Sequence, residues 1–114
     1  MIISTNKTLE SDIKKLLSDG KIVIVMSGNK QCVNCQLTRH NVMKFIDGNP
    51  THRLGFISLD NIEHDKLESQ YYQINELNEY PKTVIYYGKI ENTGFNEGVI
   101  TEQNLVEYNN SKRC

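Results

Sequence analysis

Apolar residues along this chain follow two different spacings. Leu9, Ile13, Leu16 and Leu17 fall at i, i+4, i+7 and i+8, one face of a helix predicted over about Thr5–Asp19, with Gly20 as its stop. Ile22–Met26 is instead a continuous apolar run, the pattern of a strand covered on both sheet faces, and a strand is predicted over Lys21–Ser27. Helical spacing returns from Gln36 to about Asp47, directing Leu37, Val42, Phe45 and Ile46 inward, and breaks at Gly48-Asn49-Pro50. Leu54–Leu59 (LGFISL) reads as a core strand ending at Asp60, and Asn61–Ile74 as a helix followed by a polar connector, Asn75–Glu79.

The second half of the pattern is β-rich. Thr83–Tyr87 (TVIYY) is a strand by its β-branched and aromatic content. Gly88-Lys89 predicts a tight hairpin turn into a partner strand near Ile90–Gly94. Thr101 is a candidate N-cap for a last helix carrying Leu105, Val106 and Tyr108, and the tail Asn109–Cys114 is expected to fray. With Met1–Ser4 as a short first strand, the order is βαβαβαββα. Strands separated by helices pair in parallel through right-handed crossovers, whereas the closing hairpin must be antiparallel. The fold class expected is therefore α/β: one domain over residues 1–114, with a central mixed sheet of four or five strands flanked by helices.

Composition changes this picture mainly by exclusion. The 114 residues are 38% hydrophobic and 24% charged with a net charge of −1, and basic residues are scattered among acidic ones, so neither nucleic acid nor an anionic membrane is expected as a partner. The longest apolar run, Ile22–Met26, is far short of the roughly 20 residues of a membrane span. Met1–Thr5 lacks a basic stretch followed by an apolar one, so no signal peptide is expected. Three cysteines are too few, and odd in number, for a secreted disulfide scaffold. A cytoplasmic location is the default expectation.

Candidate chemistry concentrates at Cys32-Val33-Asn34-Cys35, between the apolar strand and the next helix. A helix start offers free N–H groups and the positive end of the helix dipole. A thiolate placed there is stabilised, so the first cysteine should ionise below the free value of about 8.5. The second thiol, one turn on, is within reach to close a disulfide. The carboxyl end of a central strand is also where ligands collect on α/β sheets.

Together these features resemble the thioredoxin family over nearly the whole chain. C-x-x-C follows the second predicted strand and opens a helix; a lone Pro81 precedes the TVIYY strand in the place of the family's cis-proline; and a terminal hairpin and helix close the order. The strand and helix ahead of the motif, and Glu79-Tyr80 where glutaredoxins have Thr-Val before that proline, favour the thioredoxin branch. The flanks depart from the family habit. Gln31 stands where an aromatic residue is usual, Val33-Asn34 replaces Gly-Pro, Met26 occupies the place of a buried aspartate, His40 that of a helix proline, and Lys82 separates Pro81 from Thr83.

The resemblance implies a dithiol–disulfide oxidoreductase acting on disulfide-containing proteins. In it Cys32 is the nucleophile and more exposed sulfur, and Cys35 the buried thiol that resolves the mixed disulfide. Val33, Asn34, Tyr80 and Pro81 would contact substrate, the residue before a cis-proline offering its backbone to an extended segment. Lys30 would add modest positive potential. No cofactor beyond the Cys32–Cys35 pair is implied; a reductase would recharge the dithiol, and a monomer is expected. No metal is expected either: a structural zinc wants four ligands, and His40, His52 and His64 show no paired spacing, with Cys114 read as a free terminal thiol. The alternative is a binding module that keeps the fold and uses the face around Cys32, Val33, Tyr80 and Pro81 to hold one protein partner.

Overall fold

The computed structural model describes residues 1–28, 32–59 and 65–113. In chain order the elements are β1 (Ile2–Ser4), α1 (Leu9–Ser18), β2 (Ile22–Ser27), α2 (Val33–Gly48), β3 (Leu54–Leu59), α3 (Asp65–Gln70), a 3-10 turn over Tyr72–Glu76, β4 (Lys82–Tyr87), β5 (Thr93–Glu97) and α4 (Glu102–Asn109). The sheet runs β1-β3-β2-β4-β5. Its β1–β3 and β3–β2 pairs are parallel, and its β2–β4 and β4–β5 pairs antiparallel. The mixed α/β sheet expected from the pattern is present, with five strands among the described residues.

Every residue of β2 and β3 is buried, which is why Ile22–Met26 reads as a continuous apolar run and Leu54–Leu59 as a core strand. Alternate side chains serve opposite faces. Ile22, Ile24 and Met26 pack with Val42 and Phe45 of α2, with Leu105 of α4 and with Ile100 just ahead of it; Val23 and Val25 pack with Leu9 and Ile13 of α1, Leu67 of α3 and Ile74. Helices thus cover both faces, α2 and α4 on one, α1 and α3 on the other.

Four expectations need correction. Helix α1 starts at Leu9, not near Thr5, because the Thr5 and Thr8 hydroxyls bind nearby backbone N–H groups (Lys7 N to Thr5 Oγ1, 3.2 Å; Thr5 N to Thr8 Oγ1, 3.1 Å) and form a turn instead. Leu37 points outward, 45% exposed, since α2 begins at Val33 and buries Cys35, Thr38, Val42 and Phe45; Leu37 lies about 200° around the helix from Cys35. Strand β5 begins at Thr93, three residues later than expected. Gly88 adopts φ +77°, and Asn92 closes a longer loop, accepting from Tyr87 N (2.9 Å) while its own amide donates to Tyr87 O (3.0 Å). The tail is held through Arg113, whose guanidinium lies 4.3 Å from the Tyr87 ring centre and donates to Asn92 Oδ1 and Thr93 O (3.2 Å each). Arg53 N further donates to Asn109 Oδ1 at 2.7 Å.

Smaller differences concern the third helical stretch and the histidines. The helix expected over Asn61–Ile74 is divided at Tyr71 into α3 and the 3-10 turn, its part before Asp65 lying outside the described residues. His52 is half-buried, accepting from Leu54 N through Nδ1 (3.0 Å), while His40 is exposed on α2. The readings made for Lys30, Gln31, His64 and Cys114 also fall outside the described residues. No described helix is long and apolar enough to cross a membrane.

Candidate active site

Strand β2 hands the chain to α2 at the carboxyl edge of the sheet, and the two cysteines sit at that transfer. Cys32 is the N-cap of α2 in extended conformation (φ −84°, ψ 111°), and its Sγ accepts from Cys35 N at 3.1 Å. The sulfur therefore does what a serine or aspartate oxygen does at other helix starts: it satisfies an orphan N–H and lies at the positive end of the dipole. Cys32 and Cys35 are joined in a disulfide, their Cα atoms 5.2 Å apart. Cys32 is half-exposed and Cys35 fully buried. Val33 and Asn34 are exposed between them, Val33 by 73%.

Across the gap, the Tyr80–Pro81 bond is cis. Pro81 is buried, and its carbonyl accepts from Gly98 N at 3.0 Å. The Glu97 carboxylate accepts from Asn78 N and Glu79 N, pinning the connector that leads into the proline. Tyr80 packs half-buried against the same core cluster as Cys32, and Lys82 Nζ lies 4.9 Å from its ring centre. Gly28, the last described residue of the β2 exit, lies directly beneath the pair. A Cβ there would stand 2.5 Å from Cys35 Sγ and 3.7 Å from Pro81 Cβ. The structure thus brings Cys32, Val33, Asn34, Cys35, Tyr80 and Pro81 to one edge of the sheet.

No family model and no curated protein sequence matches the chain. Solved structures do. Chloroplastic thioredoxin z superposes with a TM-score of 0.72 at 18% identity, over 94% of this chain and 88% of the other. The germline-specific thioredoxin Deadhead of Drosophila melanogaster gives 0.69 at 13%, over 94% and 93%. A chain from a study of how a yeast mitochondrial 1-Cys peroxiredoxin thiol is resolved via the glutathione and thioredoxin systems gives 0.64 at 15%, over 96% and 92%. This chain has the thioredoxin fold.

Within the thioredoxin fold, the surroundings of Cys35 are this chain's own. Met26, fully buried, fills the place where the resemblance leads one to look for an acid, and Phe56 and Ile85 continue the apolar wall. Helix α2 is locked to the β5–α4 junction by two side chains: Thr38 Oγ1 accepts from Ile100 N (3.1 Å) and Asn41 Nδ2 donates to Ile100 O (2.9 Å). Arg39, one turn after Cys35, reaches β3 and donates to Ser58 Oγ at 3.3 Å. The first turn of α2 has no acidic residue to oppose a thiolate. Among the described residues no group of three His, Cys, Asp or Glu side chains could hold a metal ion.

Gly28, Thr38 and Arg39 escaped the sequence reading. Gly28 carried a faint signal, a lone glycine at the strand exit four residues before a C-x-x-C. Thr38 and Arg39 carried none, because their partners lie 62 and 19 residues away along the chain.

Proposed function

We propose that this chain is a divergent thioredoxin-like dithiol–disulfide oxidoreductase that reduces disulfides in protein substrates. The observation that carries the reading is the asymmetry of the cysteine pair: a half-exposed sulfur at a helix N-terminus, closed onto a fully buried one. As thiolate, Cys32 attacks a substrate disulfide, forming a mixed disulfide and expelling one substrate sulfur as thiolate, which takes a proton from solvent. Cys35 then attacks Cys32 Sγ, the second substrate sulfur leaves, and two electrons have passed to the substrate. Val33 and the exposed Leu37, one turn apart on α2, give an apolar rim beside Cys32, and Tyr80-Pro81 faces it across the gap. The recharging agent in this reading is a reductase, the compartment is the cytoplasm and the working form a monomer.

The pair should be a reducing or intermediate couple. Val33-Asn34 places no cation or histidine between the cysteines, so a potential of roughly −200 to −270 mV is proposed, the range of glutaredoxins and thioredoxin. Insulin reduction with dithiothreitol as electron source tests the function. The wild-type chain should accelerate insulin precipitation and Cys32→Ser should abolish the acceleration; a wild-type rate no faster than dithiothreitol alone would reject the enzyme in favour of a binding module. In the reduced protein, iodoacetamide should alkylate Cys32 far faster than Cys35, and a faster Cys35 would reverse the assigned roles.

A further inference from the structure

On the α2 side of the sheet three buried hydroxyls lie around the Cys35 region, and two of them are committed. Thr38 Oγ1 takes Ile100 N–H, and Ser58 Oγ takes the Arg39 guanidinium. The third, Thr83 on β4, is fully buried and its Oγ1 has no hydrogen-bond partner among the described residues. A buried hydroxyl left unpaired costs free energy, so its place in the structure asks for a reason.

Register supplies one. Thr83 lies directly opposite Met26 on β2, and Ser27 opposite Lys82, so the next step along the ladder sets Gly28 beside Pro81. Cys35 Sγ rests on that Gly28–Pro81 row. Thr83 is two residues along β4 from Pro81, on the same face, and therefore occupies the row next to the one that carries the sulfur. Its other cross-strand neighbour, Asn96, is engaged: the amide donates to Gly98 O (3.3 Å) and the carbonyl accepts from Tyr108 OH (3.0 Å). The rest of this face is apolar, with Met26, Phe56 and Ile85 around Cys35. Among the described residues, the charged or titratable groups on this face are the Arg39 guanidinium on α2, Cys32, Tyr80 ahead of β4, Tyr87 farther along β4 and Tyr108 of α4.

We propose that Thr83 is a positioning residue for Cys35: when the Cys32–Cys35 bond is reduced, the Thr83 hydroxyl donates a hydrogen bond to Cys35 Sγ and favours its thiolate. A thiol reductant (the dithiol of the recharging reductase, or a pair of glutathione molecules in vitro) attacks Cys32 Sγ and expels Cys35 as thiolate. The reductant's second thiolate then displaces Cys32, closing the reductant's own disulfide, and Cys32 takes a proton from solvent while the Thr83 hydroxyl keeps its own. In the disulfide Cys35 Sγ is held against Cys32 Sγ and the Thr83 hydroxyl goes unpaired. The device thus favours the dithiol over the disulfide. Ser27 provides an internal control, since its Oγ is equally buried and unpaired but belongs to the opposite face, with Val23 and Val25.

The inference rests on the oxidoreductase reading only for its consequence in turnover, so the test reads the thiol itself. In the reduced full chain, NMR follows the Cys35 13Cβ shift with pH in wild type, Thr83→Val, Thr83→Ser and Ser27→Ala, each verified as folded by circular dichroism. Thr83→Val should raise the apparent pKa of Cys35 by about one unit, Thr83→Ser should restore it, and Ser27→Ala should leave it alone. At a pH above the Cys35 pKa, where the thiolate is the populated form, equilibration with glutathione should move Thr83→Val toward the disulfide about tenfold, equivalent to about 30 mV. If Thr83→Val does not fold, Thr83→Ala carries the same expectation. An unchanged Cys35 titration in the folded variant, or an equal shift in Ser27→Ala, overturns the proposal. A wild-type chain inactive on insulin would reject the oxidoreductase reading while leaving a Thr83-dependent shift of Cys35 intact.

Discussion

Gly28 is the position at which one methyl group tests the architecture of the site. Gly28 has no positive φ, so alanine there is conformationally allowed. By chain entropy alone, Gly→Ala at such a position stabilises a protein by about 0.4–1 kcal/mol. The structure reverses that sign. The new Cβ would stand 2.5 Å from Cys35 Sγ and 3.1 Å from Cys35 Cβ, atoms tied down by the disulfide and by helix α2. Overpacking of this kind costs about 1–3 kcal/mol, which outweighs the entropic gain and leaves a net loss of about 1–2 kcal/mol. For a chain of 114 residues that is a fall in Tm of roughly 4–8 °C. Gly48→Ala is the matched control. Gly48 ends α2 without positive φ, and a Cβ there meets nothing within 4 Å, so the same substitution should raise Tm by a few degrees. Thermal unfolding of the oxidised proteins, followed by circular dichroism, compares the two. A Gly28→Ala protein as stable as Gly48→Ala would refute the close approach of Cys35 to the β2 exit.

Three further outcomes follow from individual bonds. Thr38→Val should destabilise by about 1–3 kcal/mol in urea unfolding, because it strands the Ile100 N–H in the core; a loss below about 0.5 kcal/mol would mean that this N–H finds another acceptor. Thr101→Ala should cost about 1 kcal/mol, since the Thr101 hydroxyl accepts from Asn104 N and the Asn104 side chain accepts from Thr101 N; unchanged unfolding would remove that capping box from α4. His52 has its pKa lowered from 6.5, first by burial and then by Lys21. The unfolded chain therefore binds the proton more readily than the folded one. This contribution to stability is fully present above pH 6.5 and is lost as the pH falls from there through the lowered folded value. His52→Gln should flatten that part of the stability–pH curve, and an identical curve in the variant would show that another group is responsible.

The central strands and the location of the chemistry were legible in the sequence. β3 is found over Leu54–Leu59 as read, and β2 and β4 to within one residue, because a continuous apolar run has a favourable place only where both sheet faces are covered. The C-x-x-C was readable for a related reason: a strand exit, a helix start and two thiols three apart are all local, and local order places them together. Thr101 announced α4 in the same way, by a side chain that caps its own helix.

What the tertiary structure alone decided depends on partners distant in sequence. Three-residue β1 exists only through its ladder with Ile57–Leu59, and the tail only through Arg53, Asn92 and Tyr87. Lys82, Thr83 and Met26 could be noted in the sequence as departures from a family habit, but their meaning could not be read there. Register sets Thr83 opposite Met26 and leaves its hydroxyl unpaired on the Cys35 face, whereas a shift of one residue would have turned it to the other side. Side-chain type is written along the chain; which buried groups share a face, and which of them go without a partner, is set by strand pairing between segments far apart in it.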